Sequence, residues 1–415
     1  MHKWLETHLN QLNVVNQMDF EKGFTRLGYS TEEMQAHEEF KKIAQDLNLN
    51  VTRDAAGNLW AVWEVEKQAP LIAIGSHLDT VHSGGGFDGA AGVLTGLAAI
   101  KHLKDSGFSP KKNLAVVCFA SEESARFGIS TIGSKAVSGL LDKTSLEQIT
   151  DANGISIREA VESFDLSWEN IEQAERDHNF LESFIELHIE QGTRIEDQAK
   201  DIGVVRGIAC PIRLKVTASG MANHTGTTPM NRRADAFAAI APLIRYVEEQ
   251  AHIINEEQKV PLVATVSTIH LSPNALTIIP EEVELGIDIR SVDDRLKNKM
   301  AAKIQQFCEE TEKDRPGVSI QLDKLVDNAS VFLDDEVQRK LTAASRQLGM
   351  EHLLLDSGAG HDVMNMTHKW PSGLLFIPCE KGISHHPKEF ASTDDLWKGT
   401  QVLAQYLKNE AGGLS

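Results

Sequence analysis

The sequence predicts an α/β fold in which a larger α/β domain is interrupted by a smaller, ferredoxin-like α+β domain. Two apolar runs, Leu71–Ile74 and Leu114–Ala120, flank a Gly/Ala-rich helix, which is the pattern of a parallel strand–helix–strand unit. From about Cys210 the composition changes, and strands and helices then follow the order of a split βαβ module. The 415 residues are enough for two such domains.

The chain begins with helices and short strands. Apolar residues recur at helical spacing over residues 1–48, and acidic residues follow Thr31 in the first turn of the second helix. Two short alternating strands come next, over 50–53 and 59–65, and a turn containing glycine joins them.

The stretch Leu71–Ala99 brings together residue types that bind metal ions. After its strand, a polar loop leads into a helix from about Ala90 and carries, within twelve residues, two histidines and two aspartates: His77, Asp79, His82 and Asp88. Parallel strands deliver such side chains to their carboxyl edge, where α/β folds hold their chemistry. Imidazole and carboxylate groups at that edge predict a metal site.

Two other interpretations of this stretch are weaker. Gly84, Gly86 and Gly89 match the G-x-G-x-x-G spacing of a dinucleotide fingerprint. The first glycine, however, comes ten residues after the apolar run, and Asp88 would place a carboxylate where a pyrophosphate should lie. The polar side chains could also only cap the helix, which is the ordinary explanation for any one of them taken singly. A metal site requires further ligands downstream.

Further candidate ligands follow the next two strands. The second apolar run ends beside Glu122 and Glu123, and a parallel sheet places them next to the first loop. A short alternating strand over 184–192 presents Glu186, His188 and Glu190 on one face. Its H-x-E triplet also occurs in zinc deaminases, but the P-C-x-x-C motif of that class does not follow.

The smaller predicted domain spans 210–325, and the larger one spans 1–209 and 326–415. The predicted elements of the smaller domain are a strand at Ile212–Ala218, a helix at Arg232–Glu249, strands at Leu262–Leu271 and Glu282–Ile289, a helix at Asp294–Thr311 and a strand at Val318–Leu322. The chain then returns to the larger domain with a helix, a strand and a closing helix. The loops between these last elements carry His361, His385 and His386.

Composition limits the partners and the compartment. A net charge of −19 argues against nucleic acid and against an anionic membrane, since both require clustered Lys and Arg. The four cysteines lie far apart, which favours reduced, mostly buried thiols over a disulfide framework or a thiolate zinc site. The N-terminal residues form a charged amphipathic pattern without an apolar export segment, so we expect a cytoplasmic protein.

The residues gathered at strand ends contain enough nitrogen and oxygen ligands for two divalent ions. Two ions need four to six such ligands, including a carboxylate able to bridge them, and imidazole with carboxylate suits Zn²⁺ or Mn²⁺. One of two adjacent glutamates can bind metal while the other moves a proton, but adjacency alone does not say which. The choice between His385 and His386 is equally open from the residues alone.

The ordered motifs resemble the M20 family of di-metal amidohydrolases and peptidases. The sequence His77-Leu-Asp79, then Asp88-Gly89, Glu122-Glu123, His188 and a late Ser-His carries this resemblance. Within the family, the hydantoinase/carbamoylase branch is the most similar, through GSHLDTV, GGGFDG, IEQG, GTTPMNRRADA and SGAGHD. The resemblance runs through most of the chain. It implies a di-metal catalytic α/β domain interrupted by a smaller lid domain through which the protein forms a homodimer.

The resemblance assigns the metal ligands residue by residue. It implies that His77, Asp88 and His188 hold one ion and that Asp88, Glu123 and His385 hold the other, with Asp88 bridging. By the same resemblance, Glu122 would be the general base that takes a proton from the attacking water and returns it to the leaving nitrogen. Asp79 would fix the tautomer of His77 through a hydrogen bond. The ions would be Zn²⁺ or Mn²⁺, with Co²⁺ or Ni²⁺ also compatible.

The resemblance also implies residues that bind substrate. His224 would stabilise the developing oxyanion, and Asn274 and Arg290 would hold a substrate carboxylate, for which the arginine fork is well shaped. Gln191 and the loop containing Gly360 and His361 would contact the amide end of the substrate.

The function that the resemblance implies is metal-dependent hydrolysis of a linear amide or ureido bond on a small carboxylate. An N-carbamoyl-L-amino acid is the favoured substrate, because the segment Arg126–Gly139 is closer to carbamoylases. Allantoate is the alternative, and an N-acyl amino acid comes third. A non-catalytic metal-binding or peptide-binding module is disfavoured, because both the base and a complete ligand set are present.

Overall fold

The structure is a computed structural model that describes residues 1–414. The chain divides into two units: unit 1 contains Met1–Arg206, Leu333–Ser357 and the residues from His361, and unit 2 contains Gly207–Phe332 and Gly358–Gly360. Unit 2 therefore begins three residues before the predicted boundary at 210 and extends past the predicted one at 325.

Thirteen α-helices occur in the described chain. In order they are α1 (His2–Leu12), α2 (Thr31–Asp46), α3 (Ala90–Asp105), α4 (Ile132–Ser138), α5 (Lys143–Leu146), α6 (Ile157–Ser163), α7 (Arg194–Asp197), α8 (Ala236–Ile240), α9 (Pro242–Glu257), α10 (Asp294–Asp314), α11 (Asp335–Gln347), α12 (Val363–Met366) and α13 (Thr393–Ala411). Short 3₁₀ helices lie at Trp168–Ala174, Met230–Arg232 and Glu380–Gly382.

Fifteen strands accompany them in the same part of the chain. They are β1 (Asn50–Arg53), β2 (Leu59–Trp63), β3 (Leu71–His77), β4 (Ser109–Pro110), β5 (Asn113–Phe119), β6 (Leu181–Ile189), β7 (Ile202–Ile208), β8 (Pro211–Ser219), β9 (Val263–Ser272), β10 (Glu282–Arg290), β11 (Ser319–Asp327), β12 (Val331–Phe332), β13 (His352–Ser357), β14 (Ser372–Ile377) and β15 (Gly413–Leu414).

Unit 1 is built on a mixed sheet with a parallel centre. Its strand order is β1-β2-β5-β3-β6-β14-β7, and β13 also pairs with β7. The four central strands, β5, β3, β6 and β14, run parallel, so His77 pairs with Phe119, and Phe376 with His188, at the same edge. Strands β3, β5 and β14 are buried at every residue, as expected for strands covered on both faces.

Helix α3 packs closely on this sheet because its first turns are made of small residues. Its buried residues run almost without interruption from Ala90 to Ile100. A Cβ atom on Gly92 would lie 2.1 Å from the carbonyl oxygen of Leu187 in β6, so only glycine allows this approach. The close packing fixes the start of α3, and with it Asp88, against the parallel strands.

Unit 2 contains a four-stranded antiparallel sheet in the order β11-β8-β10-β9. Strands β8 and β10 alternate between buried and half-exposed residues, which is typical of a sheet with one covered face. The buried residues pack with apolar residues of α8, α9 and α10 in one cluster.

A buried lysine joins the beginning and the end of unit 2. The Lys297 ammonium donates to the carbonyl oxygens of Cys210 at 2.7 Å and Asn328 at 2.8 Å, and it pairs with Asp294 at 2.8 Å. Three acceptors satisfy its three N–H groups, which offsets the cost of burying the charge.

Several predicted elements differ from the structure. The predicted helix Arg232–Glu249 is interrupted, because Pro242 lacks an N–H group and starts the new helix α9. Strands β7 and β13 were not predicted. Strand β6 does not alternate but is buried from Ser183 to Ile189, and Glu190 follows it. The polar residues Glu186 and His188 within β6 are therefore buried.

All four cysteines are buried, and none of them forms a disulfide within residues 1–414. Among the helices that the structure describes, none is long and apolar enough to cross a membrane.

We expect Gly92→Ala to destabilise unit 1, because the new Cβ would meet backbone in β6 that cannot move without disturbing the sheet. The cost of such overpacking is about 1–3 kcal/mol, measured as a lower denaturant midpoint. Gly96→Ala is the matched control one turn along α3, where the new Cβ would meet only side-chain methyl groups of Val116 and Ile74, at 3.1 and 3.2 Å. Equal loss of stability in the two variants would contradict the close-packing argument.

Candidate metal centre

The predicted ligands of unit 1 meet at the carboxyl edge of its parallel strands. His77 ends β3, Glu123 follows β5 and His188 lies near the end of β6, while His385 comes from the loop after β14. Asp88 lies in the loop that leads into α3. Parallel pairing of the four strands brings these residues together although they span some three hundred positions.

The Asp88 carboxylate is the centre of this cluster. Its Oδ1 atom lies 2.9 Å from His188 Nε2 and 3.4 Å from His77 Nε2. Its Oδ2 atom lies 3.4 Å from His385 Nε2, and His385 Nε2 is in turn 3.4 Å from Glu123 Oε1. One carboxylate therefore presents one oxygen to each of two ligand groups.

These distances satisfy a simple test for two cation positions. The ligand atoms of His77, Asp88 and His188 all lie within 4.8 Å of one another, and so do those of Asp88, Glu123 and His385. Both groups contain nitrogen and oxygen donors without sulfur, a set suited to Zn²⁺, Mn²⁺ and similar ions.

The structure also distinguishes between adjacent candidates. His385 joins the second group, whereas the exposed His386 accepts a hydrogen bond from the Lys388 N–H at 3.1 Å. Glu123 belongs to the second group, whereas Glu122 belongs to neither and places its Oε2 atom 3.8 Å from His77 Nε2. The arrangement leaves Glu122 beside the ligand groups as an additional carboxylate.

Protonation in this cluster reflects crowded carboxylates in a buried site. Burial raises the pKa of Glu122 well above its ordinary value, and the charge of Glu123 adds to this effect. Burial, together with the charge of Asp88, raises the pKa of Glu123 to about 8. The contact with Asp88 raises the pKa of His385 to about 9. Protons thus supply positive charge that a divalent cation would supply between the same groups.

Asp79 has a second contact besides the one predicted for it. Its Oδ1 atom lies 3.3 Å from His77 Nδ1, consistent with fixing the tautomer of that ring, although the Asp79 carbonyl oxygen is nearer at 3.1 Å. The same carboxylate accepts the backbone N–H groups of Glu122 at 3.0 Å and Glu123 at 2.8 Å. Asp79 therefore orients the ligand His77 and the two glutamates at once.

Two predicted substrate-binding residues of unit 1 lie against the cluster. Gln191 Nε2 donates to Asp88 Oδ2 at 2.9 Å and to the Ser384 hydroxyl at 3.0 Å. His361 is buried, with its ring centre 4.5 Å from that of His188 and its Nε2 atom 3.1 Å from the Ser357 hydroxyl. Burial and the neighbouring His188 hold the pKa of His361 well below its ordinary value.

The other predicted substrate-binding residues, His224, Asn274, Arg290 and Gly360, belong to unit 2. His224 is exposed, and its Nδ1 atom accepts the Gly226 N–H at 2.9 Å. Arg290 pairs with Asp288 at 2.8 Å and donates to the Gly358 carbonyl oxygen at 2.7 Å. Asn274 is exposed with a positive φ of 50°.

Sequence reasoning missed two buried glutamates that support the cluster. Glu33, in the first turn of α2, accepts the N–H groups of Tyr29 at 2.6 Å and Ser121 at 2.7 Å, so it holds the residue before Glu122. Glu389 contacts the segments that contain Asp88 and His385. Nothing in the local sequence separates these glutamates from solvent-exposed ones; acidic residues in a helix's first turn are ordinary.

Comparison with known proteins decides the family. Residues 73–409 match peptidase family M20/M25/M40. The chain belongs to this family. The M20 family is metal-dependent, which agrees with the two ligand groups, and the motifs had predicted the same family.

Relatives 33–37% identical to the chain are named N-carbamoyl-L-amino acid amidohydrolase, allantoate amidohydrolase and ureidoglycolate hydrolase. The ureidoglycolate hydrolase of Oryza sativa is 37% identical over 92% of this chain and 79% of its own length. The N-carbamoyl-L-amino acid amidohydrolase of Geobacillus stearothermophilus is 35% identical over 92% of both chains. The crystal structure of a hydantoinase/carbamoylase family amidase from Burkholderia ambifaria superposes with a TM-score of 0.88 at 28% identity, covering 100% of this chain and 98% of its own. Membership of M20 and these relatives support amidohydrolase activity.

We expect Gly89→Ala to weaken metal binding, because the new Cβ would lie 2.5 Å from the His77 ring and displace that ligand. Gly107→Ala at the other end of α3 is the matched control: both glycines have positive φ, at 64° and 77°, but nothing lies within 4 Å of the Cβ position at Gly107. Gly107→Ala should lose about 1–2 kcal/mol of stability to its positive φ. Gly89→Ala should lose more, because its φ of 64° and ψ of −49° lie outside the left-handed helical region, so the Mn²⁺ affinity and not the stability separates the two variants. Equilibrium dialysis against Mn²⁺ should show about 10-fold or greater weakening for Gly89→Ala alone. Equal Mn²⁺ affinities in the two variants would rule out this placement of His77.

Proposed function

We propose that this protein is a binuclear metal amidohydrolase that cleaves a linear C–N bond of a small ureido carboxylate, with an N-carbamoyl-L-amino acid as the favoured substrate. The observation that carries the proposal is the pair of ligand groups sharing Asp88, with Glu122 beside them and in neither. Such a site combines two cation positions with a separate proton carrier, an arrangement suited to the hydrolysis of an unactivated amide.

Two divalent ions would occupy the two ligand groups. His77, Asp88 and His188 would hold one, and Asp88, Glu123 and His385 would hold the other. The donor set suits Zn²⁺ or Mn²⁺, and Co²⁺ and Ni²⁺ are compatible with it. Bound ions of this kind polarise a carbonyl oxygen and lower the pKa of water.

Glu122 would act as the general base and then as the general acid. Its carboxylate would accept a proton from the attacking water and deliver it to the departing nitrogen. Burial, which raises the pKa of Glu122, favours the protonated state that the second step needs. Asp79 accepts the Glu122 N–H and would keep the base in place while its proton moves.

The unit 2 residues would recognise the polar ends of the substrate. Because His224 Nδ1 accepts the Gly226 N–H, a neutral ring carries its own proton on Nε2, which can then donate to an oxyanion. Arg290 offers a planar fork that matches a carboxylate, and its present partner Asp288 shows that the fork accepts such a group. Asn274 would share this carboxylate. In unit 1, Gln191 and His361 would contact the amide end, together with Gly360 of unit 2.

The named substrates of the relatives share one chemical feature. N-Carbamoyl amino acids, allantoate and ureidoglycolate all carry a ureido nitrogen on the carbon atom that bears a carboxylate. The carbamoylase-like segment 126–139 favours the first of these. Ureidoglycolate is the second candidate, because a relative with that name is 37% identical to the chain. Allantoate, the alternative that the sequence favoured, becomes the third candidate, and N-acyl amino acids become the fourth.

Unit 2 would serve as a ferredoxin-like lid and as the contact between two subunits of a homodimer. Its strand β9 lies at the edge of the sheet and is largely exposed along its ten residues, including Val263 and Ile269. Pairing with the same strand of a second copy would cover this edge. The cytoplasmic location stays a prediction.

The substrate proposal is tested by product release from a panel in Mn²⁺-supplemented buffer. We expect ammonia from N-carbamoyl-L-amino acids at a higher kcat/KM than from allantoate or ureidoglycolate. All three carry the ureido carboxylate, so the comparison reports only the group that differs on the carbon atom bearing the carboxylate. N-Acetyl-L-amino acids with the same side chains are the control, since their cleavage yields acetate without ammonia. Cleavage of the N-acetyl compounds alone would replace the proposal with an aminoacylase.

Substitution of the two adjacent glutamates separates the proton carrier from the ligand. Glu122→Gln should lower kcat by about 100-fold or more and leave Mn²⁺ binding unchanged, because its carboxylate belongs to neither ligand group. Glu123→Gln, the matched variant one residue away, should lose one of two bound ions. The measurements are turnover and Mn²⁺ stoichiometry. Loss of an ion in Glu122→Gln, or full activity in that variant, would contradict these roles.

A further inference from the structure

A buried carboxylate connects the two chain segments that contribute Asp88 and His385. Glu389 is fully buried, with 0% of its surface exposed, and it lies four residues after His385. It is not among the residues that the sequence motifs or the proposed chemistry use. Its hydrogen-bond partners show which segments it connects.

Each carboxylate oxygen of Glu389 accepts hydrogen bonds from a different segment. Oε1 accepts the N–H groups of Phe87 at 3.0 Å and Asp88 at 2.8 Å. Oε2 accepts the Ser384 hydroxyl at 2.9 Å and the His385 N–H at 3.3 Å. An ionised carboxylate suits four donors because it has about four acceptor sites and no N–H or O–H of its own.

Neighbouring segments pack closely around the Glu389 side chain. A Cβ atom on Gly85 would lie 2.3 Å from Glu389 Oε1 and 2.3 Å from Glu389 Cβ, so the loop before Asp88 rests directly on this side chain. On the other side, His385 has a positive φ of 55°, a backbone conformation that its neighbours must hold in place. The Ser384 hydroxyl also contacts Asp88 Oδ2, at 3.1 Å, so the two segments meet a second time beside Glu389. We call Glu389, with the four hydrogen bonds that it accepts, the clamp.

We propose that Glu389 is a positioning residue that sets the separation between Asp88 and His385, and thereby the affinity of the ligand group that these two residues share with Glu123. This inference rests on the proposed function because it assumes bound metal ions, but the hydrogen bonds of Glu389 are present without them. Because the first group shares only Asp88 with the clamp, the second group depends on it more.

The test uses Glu389→Gln, which keeps the size of the side chain but turns an N–H₂ group towards backbone N–H donors. Two measurements are made on the full chain without substrate: Mn²⁺ binding, followed by the signal of the free ion, and hydrogen exchange of metal-free protein in peptides covering 84–89 and 384–389. We expect binding of the second Mn²⁺ ion to weaken about 10–100-fold, and faster exchange in both peptides. Saturating Mn²⁺ should restore kcat, since Glu389 contacts no reacting atom.

Asp54→Asn is the matched control. Asp54 is also a buried carboxylate with four donors, namely the N–H groups of Ala56 and Asn58, the Asn58 side-chain amide and the Trp60 indole, but it touches none of the predicted ligands. Asp54→Asn should lower the free energy of unfolding without selectively weakening the binding of the second Mn²⁺ ion. Gly85→Ala is the second variant: it removes no polar group, pushes on Glu389 and should reproduce the weaker binding if Glu389→Gln fails to fold.

Each outcome decides the proposal. Unchanged affinity for the second ion, or equal weakening in Asp54→Asn, would overturn it. A wild-type protein that binds no Mn²⁺ would instead overturn the proposed function. Hydrogen exchange would then test whether Glu389 holds the two segments: faster exchange of both peptides in Glu389→Gln would support this role, and unchanged exchange would rule it out.

Discussion

The arrangement of unit 1 depends on the position of one carboxylate, that of Asp88. Its two oxygens face two different ligand groups, so a displacement of less than an ångström would disturb both at once. The fold restrains this residue from three directions. Helix α3 begins directly after it and packs on β6 through Gly92; Gln191 donates to Oδ2; and Glu389 accepts its N–H. Asp88 needs this many restraints because it sits in a loop, where the backbone has no regular hydrogen-bonded neighbours.

Buried carboxylates that accept backbone N–H groups recur around the site. Asp79 accepts the N–H groups of Glu122 and Glu123, Glu33 accepts that of Ser121, and Glu389 accepts those of Phe87, Asp88 and His385. Loops at the end of a parallel sheet have N–H groups without strand partners, and leaving them unpaired when buried would cost about 1–3 kcal/mol each. This solution also concentrates negative charge: burial first, and then the charges of Asp79 and Asp88, raise the pKa of Glu33 and of Glu123 to about 8. A site that gathers cations tolerates that density better than an apolar core.

The sequence predicted the part of the site that follows directly from strand ends. His77, the pair Glu122 and Glu123, and His188 follow apolar runs that are recognisable without a structure, and parallel pairing then leaves few ways to place them. Asp88 lies in the loop before α3, and the choice of Glu123 over Glu122 as a ligand rested on the family resemblance. The supporting residues could not be predicted in this way. Glu33 resembles any acidic residue in the first turn of a helix, and Glu389 resembles any polar loop residue, because their partners are backbone groups far away in the sequence. Strand β7 was missed because its short sequence mixes apolar residues with glycine and arginine and ends where unit 1 gives way to unit 2 along the chain. The helix break at Pro242 was missed because the apolar spacing continues across the proline.

The proposed function assigns reactivity to unit 1 and selectivity to unit 2. The ligand groups and the proposed base lie in unit 1, and this centre would act on the ureido or amide carbon of any substrate delivered to it. Discrimination among N-carbamoyl amino acids, ureidoglycolate and allantoate requires contacts with the carbon that bears the carboxylate, where these compounds differ. The residues proposed for the carboxylate itself, Asn274 and Arg290, belong to unit 2, and Asp288 already neutralises the arginine. On this proposal a substrate carboxylate would compete with or join Asp288 for the Arg290 guanidinium, so its binding would depend on the balance of charge within unit 2.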